Sequence, residues 1–287
     1  MSIVVNTNVS SVLVQRSLGN ATTEIGKSLE RLSTGYKINR AADDAAGLSI
    51  SESLRAQGRG SAVASSNAQA GVNLLQTAEG DLGIIQENLM RIRDLSVQAA
   101  NGTLGSTERD AIKSEVTQRI KEISRVAESS AFNAVKLLNG SSTTLSLQIG
   151  ANFVASAVSL NSINIGSALT QANATALGVN SKNDINFLNT FFSSATKCAS
   201  FINNIDSAIS KVSNSRSTIG SLQNRLETSI KSLSIKQENM TASESRIRDV
   251  DVAKESAQLT KFQILQQAST SLLAQANQAP GIALSLI

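Results

Sequence analysis

Histidine and tryptophan are absent from this 287-residue chain, cysteine and proline occur once each, as Cys198 and Pro280, and aromatic residues make up only 3%. Without histidine and with one cysteine, no His/Cys metal cluster and no Ser-His or Cys-His couple can be assembled. Cys198 cannot close an intramolecular disulfide and reads as a small apolar residue in a helix. Asp43-Asp44 is the one paired carboxylate in a conspicuous position. Arg40 precedes it, alanines surround it and no second ligand cluster accompanies it, so it reads as a turn or cap between helices, not as a metal or acid–base site. Gly58 and Gly60 have neither the preceding strand nor the spacing of a phosphate loop, and read as a point of local flexibility. These absences predict a non-enzymatic protein with no cofactor.

The remaining exclusions concern partners. The 26 basic and 22 acidic residues are interspersed. No basic stripe with interleaved aromatics offers a nucleic-acid surface. No stretch has the length and apolarity of a membrane span, and the first twenty residues interrupt Val and Leu with Asn, Gln and Arg where a secretory signal would be continuously apolar. An extracellular location would therefore require a different export route.

What the chain does contain is helical periodicity, uninterrupted by proline until position 280. Leu75, Ala78, Leu82, Ile85, Leu89 and Ile92 are spaced 3, 4, 3, 4, 3, a heptad seam. A second seam runs through Ile202, Ile205, Ile209, Val212, Arg216, Ile219, Gln223, Leu226, Ile230, Leu233, Gln237 and Met240, with polar breaks at Arg216, Gln223 and Gln237. Two such seams predict two long helices packed side by side. Between them lie a break at 101–105 (NGTLG) and a further helix, its start marked by Thr107 with Asp110 and its stripe by Ile112, Val116, Ile120 and Ile123. The pattern changes at Asn139-Gly140. From there Leu145, Leu147, Ile149, Val158 and Leu160 alternate with period two, predicting a hairpin within a loop-rich, exposed segment ending near 184.

The outer ends are amphipathic, with Val9, Val12, Leu18, Ile25, Leu29 and Leu32 at one end and Ile247, Val250, Phe262, Leu265 and Leu272 at the other. Apolar residues this sparse bury too little to offset the entropy of ordering both segments. They are expected to fold only when other copies pack around them. The expected class is mainly α, an elongated coiled-coil or helical-bundle rod with a small β-hairpin region and its N- and C-terminal segments packed together. The expected domains are 1–45 with 244–287, 46–140 with 185–243, and a hairpin and short surface-exposed insert at 141–184.

Residues 3–8 (IVVNTN) and 30–48 (ERLSTGYKINRAADDAAGL) resemble the N-terminal signature of bacterial flagellins, and residues 222–226 (LQNRL), 245–250 (SRIRDV) and 264–277 (ILQQASTSLLAQAN) resemble the C-terminal one. The resemblance implies a secreted structural subunit that polymerises into the extracellular flagellar filament, its paired termini lining the filament core. It also implies partners: further copies of the chain, an export chaperone on the C-terminal segment, the flagellar type III export apparatus, the filament cap and the hook-filament junction proteins. Recognition of the monomer by Toll-like receptor 5 is implied through residues 90–98 (MRIRDLSVQ) and the next helix, with Arg91, Leu95, Gln98, Glu115 and Arg119 at the matching positions. Met90 departs from the glutamine common in receptor-stimulating relatives. The short insert near 166–184 departs from flagellins with large outer domains, and Leu286-Ile287 replaces the basic residue that closes some relatives. A hook-filament junction protein or a secreted coiled-coil receptor-binding protein are the alternatives.

Overall fold

A computed structural model describes residues 7–140, 145–151, 162–166, 169, 172–179 and 187–284. The chain divides into two compact units, 1–56 with 239–287 and 57–238. Helices α2 (Ala45–Ala99) and α6 (Ala195–Arg248) contribute to both.

The first unit pairs α1 (Val9–Thr34) with α7 (Val252–Leu284). Asn8 accepts the Ser11 amide to cap α1, and Gly35, at φ 76, ends it in the left-handed conformation glycine adopts without strain. Beyond that cap the chain makes a corner. Lys37 N–H donates to Arg248 O at 2.6 Å, Val250 N–H donates to Gly35 O at 3.0 Å, and the Arg248 guanidinium lies 4.4 Å from the Tyr36 ring centroid while also pairing with Glu52 at 3.1 Å. Asp43 and Asp44 are turn and cap residues. Asp43 Oδ2 accepts the amides of Asn39 and Arg40 at 3.1 and 2.9 Å, and Asp44 Oδ1 accepts the Gly47 amide at 2.8 Å.

The second unit is built on the seam between α2 and α6. Leu75, Ala78, Leu82, Ile85, Leu89 and Ile92 are all buried, as the heptad predicts. On α6 the buried positions are Cys198, Phe201, Ile205, Ala208, Val212, Ser215, Ile219, Leu222, Leu226 and Leu233. Alternate members therefore sit one residue earlier than the seam read from large side chains. Ala208, Ser215 and Leu222 face inward where Ile209, Arg216 and Gln223 were expected; Ala208 and Ser215 are small and let the helices approach, and Leu222 is the apolar neighbour of a polar break. The polar breaks are consequently not in the seam but beside it. Arg216 donates to Gln86 Oε1 at 2.6 Å and Gln223 donates to Glu79 Oε2 at 3.1 Å, two antiparallel rungs one heptad apart on each helix.

Helix α3 (Ser106–Ser129) buries Val116, Ile120 and Ile123 on the same core. Its N-cap is Gly105, with no side-chain cap bond, so Thr107 and Asp110 lie within the helix and do not start it. After α3, β1 (Ala131–Phe132) and β2 (Val135–Lys136) form a tight hairpin that the periodicity did not announce, because Asn133 and Ala134 take φ 46 and 65 without a glycine.

Strand β3 (Ser146–Gln148) pairs antiparallel with β4 (Ser162–Asn164), Leu147 opposite Ile163. The expected alternation at Leu145, Leu147 and Ile149 falls on and beside β3, while Val158 and Leu160 lie outside the described residues. Gly71 of α2 receives Leu147, and Gly60 receives Ala151. Gly60 is thus a notch in a continuous helix where flexibility was expected. The segment expected as an exposed insert supplies core instead: Ile163, Ile165, Leu169, Ala172, Leu177 and Val179 are buried, α4 (Ala174–Leu177) among them. Their isolation among Ser, Thr and Asn concealed this in the sequence. Four of the few aromatics gather around α5 (Phe187–Phe191) and the start of α6, with Phe187, Phe191 and Phe192 each within 6.3 Å, centroid to centroid, of Phe201.

Candidate assembly surface

On α1 Ser11, Val14, Leu18, Ala21, Ile25, Ser28 and Leu32 are withdrawn from solvent in a 3-4 alternation, with Glu24, Glu30 and Arg31 half-buried beside it. On α7 they are Glu255, Leu259, Phe262, Gln266, Ser269, Leu273 and Ala276, again 4-3 throughout. Antiparallel register is fixed by polar contacts along this seam. Asn8 donates to Ala276 O at 2.6 Å, Gln266 donates to Thr22 Oγ1 at 3.2 Å, and Ser28 Oγ donates to Glu255 Oε1 at 2.6 Å, with Arg31 3.7 Å from the same carboxylate. Glu255 is only 9% exposed. A buried carboxylate held by a hydroxyl and a guanidinium favours one register over its neighbours, at some cost in stability.

The stripes expected for assembly divide into two sets. Leu18, Ile25, Leu32 and Phe262 lie in the α1–α7 seam, and Ile247 and Val250 are half-buried near the corner. Val9, Val12, Leu29, Leu265 and Leu272 point outward, together with Leu13 and Ile264, which the stripe missed because they fall between its heptad positions. Val9 is 74% exposed and Ile264 60%. Two helices use up one apolar face each in meeting, and here both carry a second. Such a concentration of exposed large aliphatic side chains marks an interaction surface.

The residues matched to receptor recognition lie in the second unit. Arg91 pairs with Glu115 at 3.0 Å and Arg119 donates to Asn88 Oδ1 at 3.3 Å, so these three side chains share one face of α2 and α3. Gln98 is exposed, but Leu95, only 3% exposed, belongs to the core. Cys198 is buried, its thiol 3.4 Å from Phe191 O, and burial pushes its pKa up. Among the described residues no group of three or more Cys, Asp or Glu side chains could hold a metal ion, and no helix is long and apolar enough to cross a membrane.

Comparison with known proteins agrees with this layout. The family model of the bacterial flagellin N-terminal helical region matches residues 5–143, and that of the C-terminal helical region matches residues 202–287. The chain is 41% identical to the flagellar filament 33 kDa core protein of Treponema phagedenis and 41% identical to a flagellin of Halalkalibacterium halodurans, the alignment covering 99% of each chain in both cases. A solved structure of a putative flagellar hook-associated protein from Vibrio parahaemolyticus shares the fold, with a TM-score of 0.57 and 15% identity over 72% of this chain and all of that one. Matched at both ends by the family and aligned from end to end with its members, this chain belongs to the bacterial flagellins.

Proposed function

We propose that the chain polymerises into the flagellar filament by burying the outward aliphatic faces of α1 and α7 against further copies of itself. The observation that carries this reading is the second apolar face on each terminal helix. A monomeric protein gains nothing from seven large aliphatic side chains in water, whereas a polymer converts each into roughly 1.5–3 kcal/mol of burial. The same geometry supports terminal segments that are weakly held in the isolated chain and completed by their neighbours. Filament growth is read by sedimentation and negative stain after acid depolymerisation and reseeding. Failure to form filaments under seeded conditions counts against the proposal and favours a soluble coiled-coil protein.

Preventing premature assembly in the cytoplasm requires that this surface be covered. The C-terminal segment from about 244 is the part a flagellin export chaperone would cover before the type III apparatus delivers the chain to the filament cap. The Arg91–Glu115 pair with Arg119 supports a second reading, recognition of released monomer by Toll-like receptor 5, since those charges converge on one accessible face. Full signalling by the monomer carrying Arg91→Ala and Glu115→Ala would count against it.

A further inference from the structure

The turn after α2 contains an Asn-Gly pair whose geometry does more than end a helix. Both Asn101 and Gly102 are exposed. Asn101 N–H donates back to Gln98 O at 3.1 Å, Leu104 N–H donates to Asn101 O at 3.3 Å, and the Asn101 side-chain carbonyl accepts the Thr103 amide at 3.2 Å. The last of these is an Asx turn. It folds the side-chain amide back over the following peptide and leaves a hydrogen-bond donor on Oδ1. A Cβ placed on Gly102 would meet nothing within 4 Å, so no neighbouring group crowds this exposed turn.

We propose that Asn101 is a site of spontaneous deamidation in the folded protein. The Gly102 nitrogen, after losing its proton to hydroxide, attacks Asn101 Cγ. The electron pair of the C=O bond moves onto Oδ1, where the Thr103 amide stabilises the developing negative charge as an oxyanion donor does. Collapse of this tetrahedral species breaks the Cγ–Nδ2 bond, and the nitrogen leaves as ammonia with a proton taken from water. The resulting succinimide adds one water at either carbonyl, giving aspartate or isoaspartate. The balance is one asparagine and one water converted to one aspartate and one ammonia, with no oxidant or cofactor. The product carries a new negative charge two residues beyond the C-terminus of α2 at Ala99, where the helix dipole opposes it, and the isoaspartate form lengthens the backbone by one atom.

The other Asn-Gly pair serves as an internal comparison. Asn139 is half-buried, follows the fully buried Leu137 and Leu138, and precedes Gly140 at φ 88. Packing holds that peptide in place, so Asn101 is the pair that reacts first.

The test uses the full-length chain incubated at mildly alkaline pH, then digested with trypsin. Residues 94–109 form one tryptic peptide in which Asn101 is the only asparagine, so a gain of one mass unit there, with labelling by isoaspartyl methyltransferase, assigns the site. Conversion at Asn101 ahead of Asn139 is expected. Thr103→Pro keeps the Asn-Gly pair but removes the donor, and is expected to slow conversion about five- to tenfold, the size of one neutral hydrogen bond lost from a developing oxyanion. In concentrated urea, where no turn persists, the two asparagines are expected to convert at similar rates, a readout that does not depend on the variant folding. Faster conversion at Asn139 in the native chain, an unchanged rate in Thr103→Pro, or the same Asn101 preference in urea overturns the proposal.

Discussion

Gly71→Ala and Gly80→Ala are the same chemical change in the same helix, and the structure gives them opposite signs. Each gains helix propensity, roughly 0.5–1 kcal/mol for replacing an interior glycine with alanine. At Gly80 an added methyl meets nothing within 4 Å, so the gain stands. At Gly71 the methyl would sit 2.1 Å from Leu147 Cδ1 and 3.4 Å from Leu226 Cδ1, so Leu147 must leave the notch between α2 and α6. Overpacking of this kind costs about 1–3 kcal/mol, which outweighs the propensity gain. The propensity gain is common to both, so the two variants should differ by the overpacking cost alone, about 1–3 kcal/mol, or about 2–12 °C in Tm at roughly 2–4 °C per kcal/mol. Thermal unfolding of the monomer followed by far-UV circular dichroism reads the difference. In a Leu147→Ala background it should nearly vanish, because the clashing atom is gone. Equal stability of Gly71→Ala and Gly80→Ala in the otherwise natural chain refutes the notch.

Three further outcomes follow from other contacts. Ala134→Gly relieves a left-handed alanine at φ 65 in the β1–β2 turn and should stabilise by about 0.5–1 kcal/mol in urea unfolding; a loss of stability contradicts the assigned turn. Asp43, whose carboxylate accepts the Arg40 and Asn39 amides, is held below its ordinary value of 3.8. Its contribution is therefore present above that value and lost as pH falls through the lowered one, so Asp43→Asn should flatten the pH dependence of stability below about pH 4. Leu265→Asp with Leu272→Asp should abolish seeded filament growth while leaving the second unit's thermal transition unchanged, since both side chains point outward from the first.

The α2 seam was legible because Leu75, Leu82, Ile85, Leu89 and Ile92 are large and evenly spaced, and burial follows size. The α6 seam was half legible for the complementary reason. Ile205, Val212, Ile219 and Leu226 announce themselves, but Ala208 and Ser215 face the core and yield the signal to the adjacent Ile209 and Arg216. The same limitation applies to assembly. Periodicity marked Leu18 and Leu29 as one stripe, and about three turns apart they do lie on nearly the same side of α1, yet Leu18 is withdrawn from solvent and Leu29, at the edge of the seam, is exposed, a difference that spacing alone does not carry. The turn at Asn133 and Ala134 stayed hidden because its left-handed positions carry no glycine, the usual sign of such a turn.

Cys198, its thiol on the Phe191 carbonyl and in the same core as Phe201, is also a clock. As the chain's single thiol, fully buried and with its pKa raised, it can be alkylated only when the aromatic cluster opens, so its labelling rate reports the opening of that cluster at one site and in the unaltered protein. Comparing that rate in free chains and in assembled filaments would show whether joining copies together steadies the second unit as well as the ends.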